Sequence, residues 1–389
     1  MKVIHHTVRY LPPSQTFIAD LINQLEPLVA EQHIFAHEVL ANQKTIIDDI
    51  SHRSSNFLIK KSLNFINQKR GFCHNTNYSY AKKLLLQYQP DIIHCHFGTA
   101  AYFNYYLQKY AHTNIPMVIS LHGFDVFFCD SLFNQYKETI KLIANKNVIF
   151  TCPSIFLKQK VIKSLSIPNE KIIVVPNGFN SKLFKYTPPK KIIDQRAFKI
   201  AHVGRFIDVK EQKYLLEAIH LLKKQGMTQI TLDLIGDGEL QQECIMLAKT
   251  LGIEKQVTFH GAIAHKTVAS IIQDSDIYAH PSFTLPTGQA ESFGIAILEA
   301  IATGKPVIIT DSGGMSEILH QKNERFVKIV KQKSAQAIAD SIQVFISSWS
   351  SINWQEFQRY RDKIINKNNI NQTALLITQL YKSLLDGSV

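Results

Sequence analysis

The chain has 389 residues, 45% hydrophobic and 19% charged, with a formal charge of +12. That composition excludes a disordered chain and leaves room for two domains with cores of their own. Five scattered cysteines (Cys73, Cys95, Cys129, Cys152 and Cys244) without a C-x-x-C pair argue against a disulfide framework or a zinc site and fit a reducing compartment.

The charge is uneven. Residues 1–190 hold 21 Lys/Arg against 11 Asp/Glu, and residues 191–389 hold 22 against 20. A basic first half suits nucleic acid, an anionic membrane surface or an acidic substrate. The start, MKVIHHTVRYLPPSQ, is too polar and proline-broken for a signal peptide, and no apolar run reaches the length of a membrane span.

Taken in order, Lys2–Val8 reads as a strand, Pro12-Pro13-Ser14 as a loop, Thr16–Leu28 as a helix and His33–Leu40 as a strand. Residues 41–80 are polar with scattered aromatics and lysines, and their helical period is poorly defined. Ser79–Tyr88 is a helix stopped by Pro90, Asp91–His96 a short apolar strand, Ala100–Lys109 a helix and Pro116–Leu121 a strand that delivers His122-Gly123-Phe124-Asp125. Val148–Thr151 and Ile172–Val175 are further strands.

The first series ends at a boundary after Pro176-Asn177-Gly178, and Asn180–Arg196, with Pro188-Pro189, reads as a linker. A second series follows: strand Phe198–Val203, helix Gln212–Gln225, strand Thr228–Ile235, helix Glu239–Leu251, strand Gln256–His260, helix His265–Asp274, strand Ile277–Ala279 and strand Pro306–Thr310. Residues 354–386 read as helical. The alternation predicts α/β architecture with mainly parallel sheets.

Ligands of open α/β sheets bind outside the carboxyl ends of strands. His122, the segment Gly204–Lys210 and the loop before Glu291 all occupy such ends. Arg205 and Lys210 on one loop suit a diphosphate clamp. Tyr278–Glu299 reads as a strand end, a polar loop and a helix that Ser292 could cap, with Glu291 before the helix and Glu299 about two turns in. A helix amino terminus favours anions, and two carboxylates around it suit a hydroxyl-rich ligand attached to phosphate, that is, a nucleotide sugar. The bland alternative is a capped helix with solvated glutamates.

The segments VGRFIDVKEQKYLLEAI, LIGDGEL, FHGAIAHKTVASIIQDSDIYAHPS, ESFGIAILEAIATGKPVIITDSGGMSEI and VVPNGFNSKLF resemble, in order, the GT-B fold retaining glycosyltransferases of glycosyltransferase family 4. SQTFI, DIIHCHFGTAAYF and SLHGFDV extend the resemblance more loosely through the first half. The resemblance implies two Rossmann-like doubly wound domains facing a central cleft. An acceptor domain over 1–185 would be joined by a carboxyl-terminal helix at 371–389, with a nucleotide-sugar domain over 186–370. It implies transfer of a sugar from a nucleoside diphosphate donor, a UDP-sugar, to a glycan or lipid-linked acceptor in capsule, exopolysaccharide or lipopolysaccharide assembly, with the anomeric configuration kept.

Carried onto this sequence, it gives Arg205 and Lys210 the diphosphate and Glu291 the donor-sugar hydroxyls. The backbone amides of Phe293, Gly294 and Ile295 would meet sugar or phosphate, Glu299 the ribose, and Ala262 and Ile263 the base. His122 would lie near the anomeric centre. It implies no metal and no cofactor and a cytoplasmic site at the inner membrane face, where the charge of the basic half would let it rest on anionic lipid. Pro12–Thr16 stands where the family often carries a Gly-rich loop, and Thr284–Ala290 is longer than the usual link.

Two other classes compete. A nucleic-acid binder fits the charge but brings no recognition motif, and a sugar-nucleotide epimerase shares the two-domain layout. His94 and His96, at i and i+2 of a strand, could share a metal, but no third ligand stands at metal-site spacing. Asp274-Ser275-Asp276 reads as turn chemistry. Gly313-Gly314 reads as the start of a helix.

Overall fold

The computed structural model describes residues 1–10, 15–39, 47–49, 78–127, 133–189, 196–319 and 323–388. The chain forms two compact units, Met1–Pro176 with Ile370–Val389, and Asn177–Asn369. The division falls beside Pro176-Asn177-Gly178, and the boundary at 185/186 that the resemblance implies moves earlier, for a physical reason. Phe184, in the stretch read as a linker, and Phe179, just before it, are buried in the second unit's core, and Thr187 N donates to Thr303 O at 3.0 Å. The first part of that stretch is second-unit structure.

The first unit is a parallel sheet in the order β3-β2-β1-β4-β5-β6-β7 among the described residues. Its strands are β1 (Lys2–Tyr10), β2 (Glu31–Val39), β3 (Ile47–Asp49), β4 (Ile92–His96), β5 (Met117–Ser120), β6 (Val148–Cys152) and β7 (Ile172–Val174). Strands β4, β5 and β6 are buried at every position, as parallel strands with helices on both faces must be. One face carries α2 (Tyr78–Tyr88), α3 (Gly98–Ala111), α5 (Phe133–Ala144) and α6 (Ile155–Leu165), after the short α4 (Phe124–Phe127). Helix α1 (Thr16–Leu25) and the last helix, α13 (Ile370–Leu385), share the other face. Leu21 and Leu25 pack there with Ile377, Tyr381 and Leu384.

Ser154 caps α6, its side chain accepting from Leu157 N at 3.1 Å. The helical residues 354–386 form two helices, α12 (Trp354–Lys367) and α13, which part at Asn368-Asn369 where the chain passes from one unit to the other.

The second unit repeats the plan with β8 (Phe198–Val203), β9 (Ile230–Ile235), β10 (Val257–Gly261), β11 (Ile277–His280), β12 (Val307–Thr310) and β13 (Val327–Val330), in the order β10-β9-β8-β11-β12-β13. Its helices are α7 (Lys213–Lys224), α8 (Gln241–Thr250), α9 (His265–Asp274), α10 (Ile295–Ala302), α11 (Ala335–Ser348) and α12. Both sheets reverse their strand order, at β1/β4 and at β8/β11, and the loops following such switch points are where doubly wound sheets bind ligands.

Pro12-Pro13-Ser14 and the basic residues Lys60, Lys61, Lys69 and Arg70 lie outside the described residues. Among the described residues no helix is long and apolar enough to cross a membrane.

Candidate functional site

The loops after β8 and β11 build the second unit's site. The first runs from Gly204 to Lys210. Its backbone is fixed from behind: Phe206 N donates to Asp237 O at 2.9 Å, Leu240 N to Phe206 O at 3.1 Å, and the Gln212 amide to Arg205 O at 2.9 Å. The Arg205 side chain is exposed, and its guanidinium has no ion-pair partner among the described residues. Lys210, at the end of a 3-10 turn over Asp208–Lys210, points to Glu291 and forms an ion pair with its Oε2. The two side chains are 16% and 17% exposed, so the pair is shielded but open to a ligand.

His280, the last residue of β11, completes the group. Its fully buried ring sets Nε2 3.3 Å from Lys210 Nζ and 3.4 Å from Glu291 Oε2. Its Nδ1 lies 2.9 Å from Tyr278 Oη, which also meets Val203 N at 3.3 Å and Val203 O at 3.2 Å. Burial alone would push the Glu291 carboxyl up, but Lys210 and His280 together hold it well below the usual carboxylate range. Burial, then the neighbouring Lys210 charge, lowers His280 to about 4. At neutral pH Glu291 is thus a carboxylate and His280 a neutral imidazole.

The helix after Glu291 starts at Ile295, later than Ser292 capping would require. Gly294 is the cap residue, at φ 94°, a left-handed conformation that glycine tolerates best. Ser292 does not cap α10. Phe293 is buried in the core, so its contribution to a ligand is its backbone. Glu299 comes little more than one turn into α10 and is buried, with Oε1 2.9 Å from His265 Nε2. Ala262 is exposed and Ile263 half-buried in the turn between β10 and α9, which His265 opens. Arg205, Lys210, Glu291, Phe293, Gly294, Ile295, Glu299, Ala262 and Ile263 thus all stand on loops or helix starts that follow strands of one sheet.

The Glu291 backbone is held from below by the Gly313-Gly314 pair. Gly314 N donates to Glu291 O at 2.9 Å, and a Cβ on Gly313 (φ 60°) would stand 2.0 Å from that oxygen. The loop Thr284–Ala290 closes on itself through Leu285 N to Gln289 O and Gly288 N to Leu285 O, both 2.8 Å. Thr284 N is tied to Gln332 Oε1 at 2.9 Å, and Lys333 Nζ sits 3.8 Å over the Phe283 ring. Asp276 is consumed by two hydrogen bonds from Arg196, at 3.0 and 2.7 Å, and Asp274 pairs with Lys199 at 2.5 Å. The D-x-D is a structural turn.

His122 belongs to the other unit and stands just past β5. Its N–H donates to Asp125 Oδ2 at 2.9 Å, and Asp125 Oδ1 accepts from Gly98 N at 2.6 Å. Burial raises Asp125 to about 6 against the pull of these amides. The His122 ring sits between Phe17 and Phe97, both centroids 4.9 Å away, and neither ring nitrogen has a hydrogen-bond partner among the described residues. Burial lowers it to about 3, so the ring is neutral.

A third histidine does stand near His94 and His96: the neighbouring strand supplies His5, and one ring nitrogen from each lies within 4.8 Å of the others. His94 spends both nitrogens, at 2.6 Å from Tyr381 Oη and 2.8 Å from Ser120 Oγ, so binding an ion there would cost it a hydrogen bond. The cluster ties α13 to the sheet.

This geometry has known counterparts. The family model described as Glycosyltransferase Family 4 matches residues 14–183, and that described as Glycosyl transferases group 1 matches residues 185–368. The chain belongs to the GT-B glycosyltransferases. The amylovoran biosynthesis glycosyltransferase AmsK of Erwinia amylovora is 25% identical over 254 residues, 65% of this chain and 60% of that protein. A UDP-Gal:alpha-D-GlcNAc-diphosphoundecaprenol alpha-1,3-galactosyltransferase of Escherichia coli is 25% identical over 319 residues, 77% of each chain. Anabaena HepE in complex with UDP-glucose superposes with a TM-score of 0.75 over the whole of both chains at 18% identity, which establishes a shared fold.

Sequence reasoning alone missed His280, His265, Tyr278 and the Gly313-Gly314 support of this glycosyltransferase. His280 had a signal: it ends a strand and directly precedes the loop that carries Glu291. The others touch the site through space and leave no local pattern.

Proposed function

We propose that this glycosyltransferase transfers a sugar from a nucleoside diphosphate donor of the UDP-sugar class to a glycan on a lipid carrier, with retention of anomeric configuration, in surface polysaccharide assembly. The observation that carries the reading is the Lys210–Glu291 pair in front of the α10 amino terminus, with the exposed Arg205 guanidinium on the same loop as Lys210. Two cations on one loop match a diphosphate and offset the charge that grows on it as the sugar–oxygen bond breaks. The Phe293–Ile295 amides add helix-terminus donors. Glu291 takes the sugar hydroxyls, Glu299 the ribose, and Ala262 with Ile263 borders the base.

The departing phosphate accepts the acceptor's proton as the acceptor oxygen attacks the same face. The named activities of AmsK and of the galactosyltransferase, and the UDP-glucose of HepE, support the polysaccharide role and the donor class. The basic first half would rest on anionic lipid, where a lipid-linked acceptor is found.

A panel of nucleotide sugars scored by thermal stabilisation identifies the donor, since a ligand of the native state raises its midpoint. Arg205→Ala and Lys210→Ala are expected to lower turnover by roughly two orders of magnitude each. Wild-type turnover in both would remove the phosphate clamp. Release of an epimer with no acceptor present would replace transfer by epimerisation.

A further inference from the structure

The Lys210–His280–Glu291 group contains one more donor–acceptor contact than a neutral imidazole can make at once. A lysine ammonium only donates and an ionised carboxylate only accepts. His280 Nε2 faces both, at 3.3 and 3.4 Å. To accept from Lys210 it must carry no proton. To donate to Glu291 it must carry one.

The far side of the ring offers the matching choice. Tyr278 Oη takes Val203 N–H and has one proton of its own to give, either to Val203 O at 3.2 Å or to His280 Nδ1 at 2.9 Å. Two complete networks follow. In the first, Lys210 donates to Nε2, Nδ1–H donates to Tyr278, and Tyr278 donates to Val203 O. In the second, Tyr278 donates to Nδ1, and Nε2–H donates to Glu291.

We propose that His280 is a positioning residue that exchanges the first network for the second when the donor binds. Lys210 then turns from Glu291 to the diphosphate, and the His280 Nε2–H takes its place on the carboxylate. Glu291 would otherwise lose its strongest partner at the moment it must hold the sugar, and a largely buried carboxylate left unpaired swings or protonates. The ring stays neutral throughout: it gives up the proton at Nδ1 and takes one at Nε2, with solvent balancing the two. This rests on reading Lys210 as a phosphate ligand.

The test uses the full chain labelled with 15N-histidine, with the His280 signals assigned by their loss in His280→Gln. UDP, GDP and ADP are titrated first by calorimetry, in wild type and in Lys210→Ala. With the tightest of the three bound, the wild-type His280 signature is expected to change from Nδ1–H to Nε2–H. Steady-state kinetics with the donor found by the panel give the second readout. His280→Leu is expected to bind the nucleotide within about threefold of wild type while kcat falls roughly tenfold to a hundredfold, and His280→Gln, whose amide can donate to Glu291, to recover most of the loss.

An unchanged His280 tautomer with nucleotide bound, or equal kcat losses in the Leu and Gln variants, overturns the inference and leaves the phosphate clamp standing. Nucleotide binding that ignores Lys210→Ala overturns the clamp itself and the inference with it.

Discussion

Acidification from pH 7.5 to 5.5 is expected to destabilise the two units unequally. His5, His6, His94, His96 and His122 in the first unit, and His202 and His280 in the second, are held in surroundings where burial lowers the pKa of each. A group whose folded pKa is depressed takes up its proton first in the unfolded chain, so stability is present above the unfolded value of 6.5 and lost as pH falls below it. Over this interval each such histidine costs about 1.3 kcal/mol. The first unit therefore loses about 6.5 kcal/mol and the second about 2.6 kcal/mol.

Asp125 works the other way in the first unit. Its folded pKa of about 6 exceeds the ordinary 3.8, so the native state binds the extra proton and regains about 0.8 kcal/mol at pH 5.5. The net first-unit loss of about 6 kcal/mol corresponds to roughly 15 °C in its midpoint for a unit of this size. Glu291 does not enter, because its window lies below the ordinary carboxylate range.

The assay is direct, because both tryptophans of the sequence, Trp349 and Trp354, belong to the second unit. Melting followed by far-ultraviolet circular dichroism sees both units, and tryptophan fluorescence sees the second. At pH 5.5 the dichroism transition should precede the fluorescence transition by more than it does at pH 7.5. Midpoints that move by less than about 2 °C over the interval, or a fluorescence transition that moves further than the other, would refute the reasoning.

Two packing predictions accompany it. Gly313→Ala places a methyl 2.0 Å from Glu291 O at a positive φ, and it is expected to cost about 1–3 kcal/mol in thermal unfolding and to weaken donor binding. A variant with wild-type midpoint and affinity would detach Gly313 from the site. Tyr381→Phe leaves buried His94 Nδ1 without its 2.6 Å partner on α13, and a loss of about 1–3 kcal/mol in the first unit's unfolding is expected, with no change in nucleotide affinity.

The doubly wound plan was legible because it is written in local patterns: short apolar runs for strands buried on both faces, and 3.6-residue spacing between them. Phe198–Val203 and His265–Asp274 were placed to the residue. The ends that slipped did so where a local signal met a competing one. Ser292 is a good capping residue, yet the chain uses Gly294, which can take the left-handed turn that starts α10 there. Residues 354–386 read as helical without a stop signal placed, and the break at Asn368-Asn369 falls where the chain leaves one core for the other.

The sequence by itself determined which side chains could do the chemistry. Arg205, Lys210, Glu291 and Glu299 declared themselves by following strands and flanking a helix start, properties of neighbours along the chain. Only the tertiary structure decided what each one faces. The meeting of Lys210, His280 and Glu291, the pairing of Glu299 with His265, and the addition of His5 to His94 and His96 all depend on strand order in the sheet. Parallel strands adjacent in space are distant in sequence, so apart from His280, which precedes the loop of Glu291, these partners leave no trace in any window of the chain.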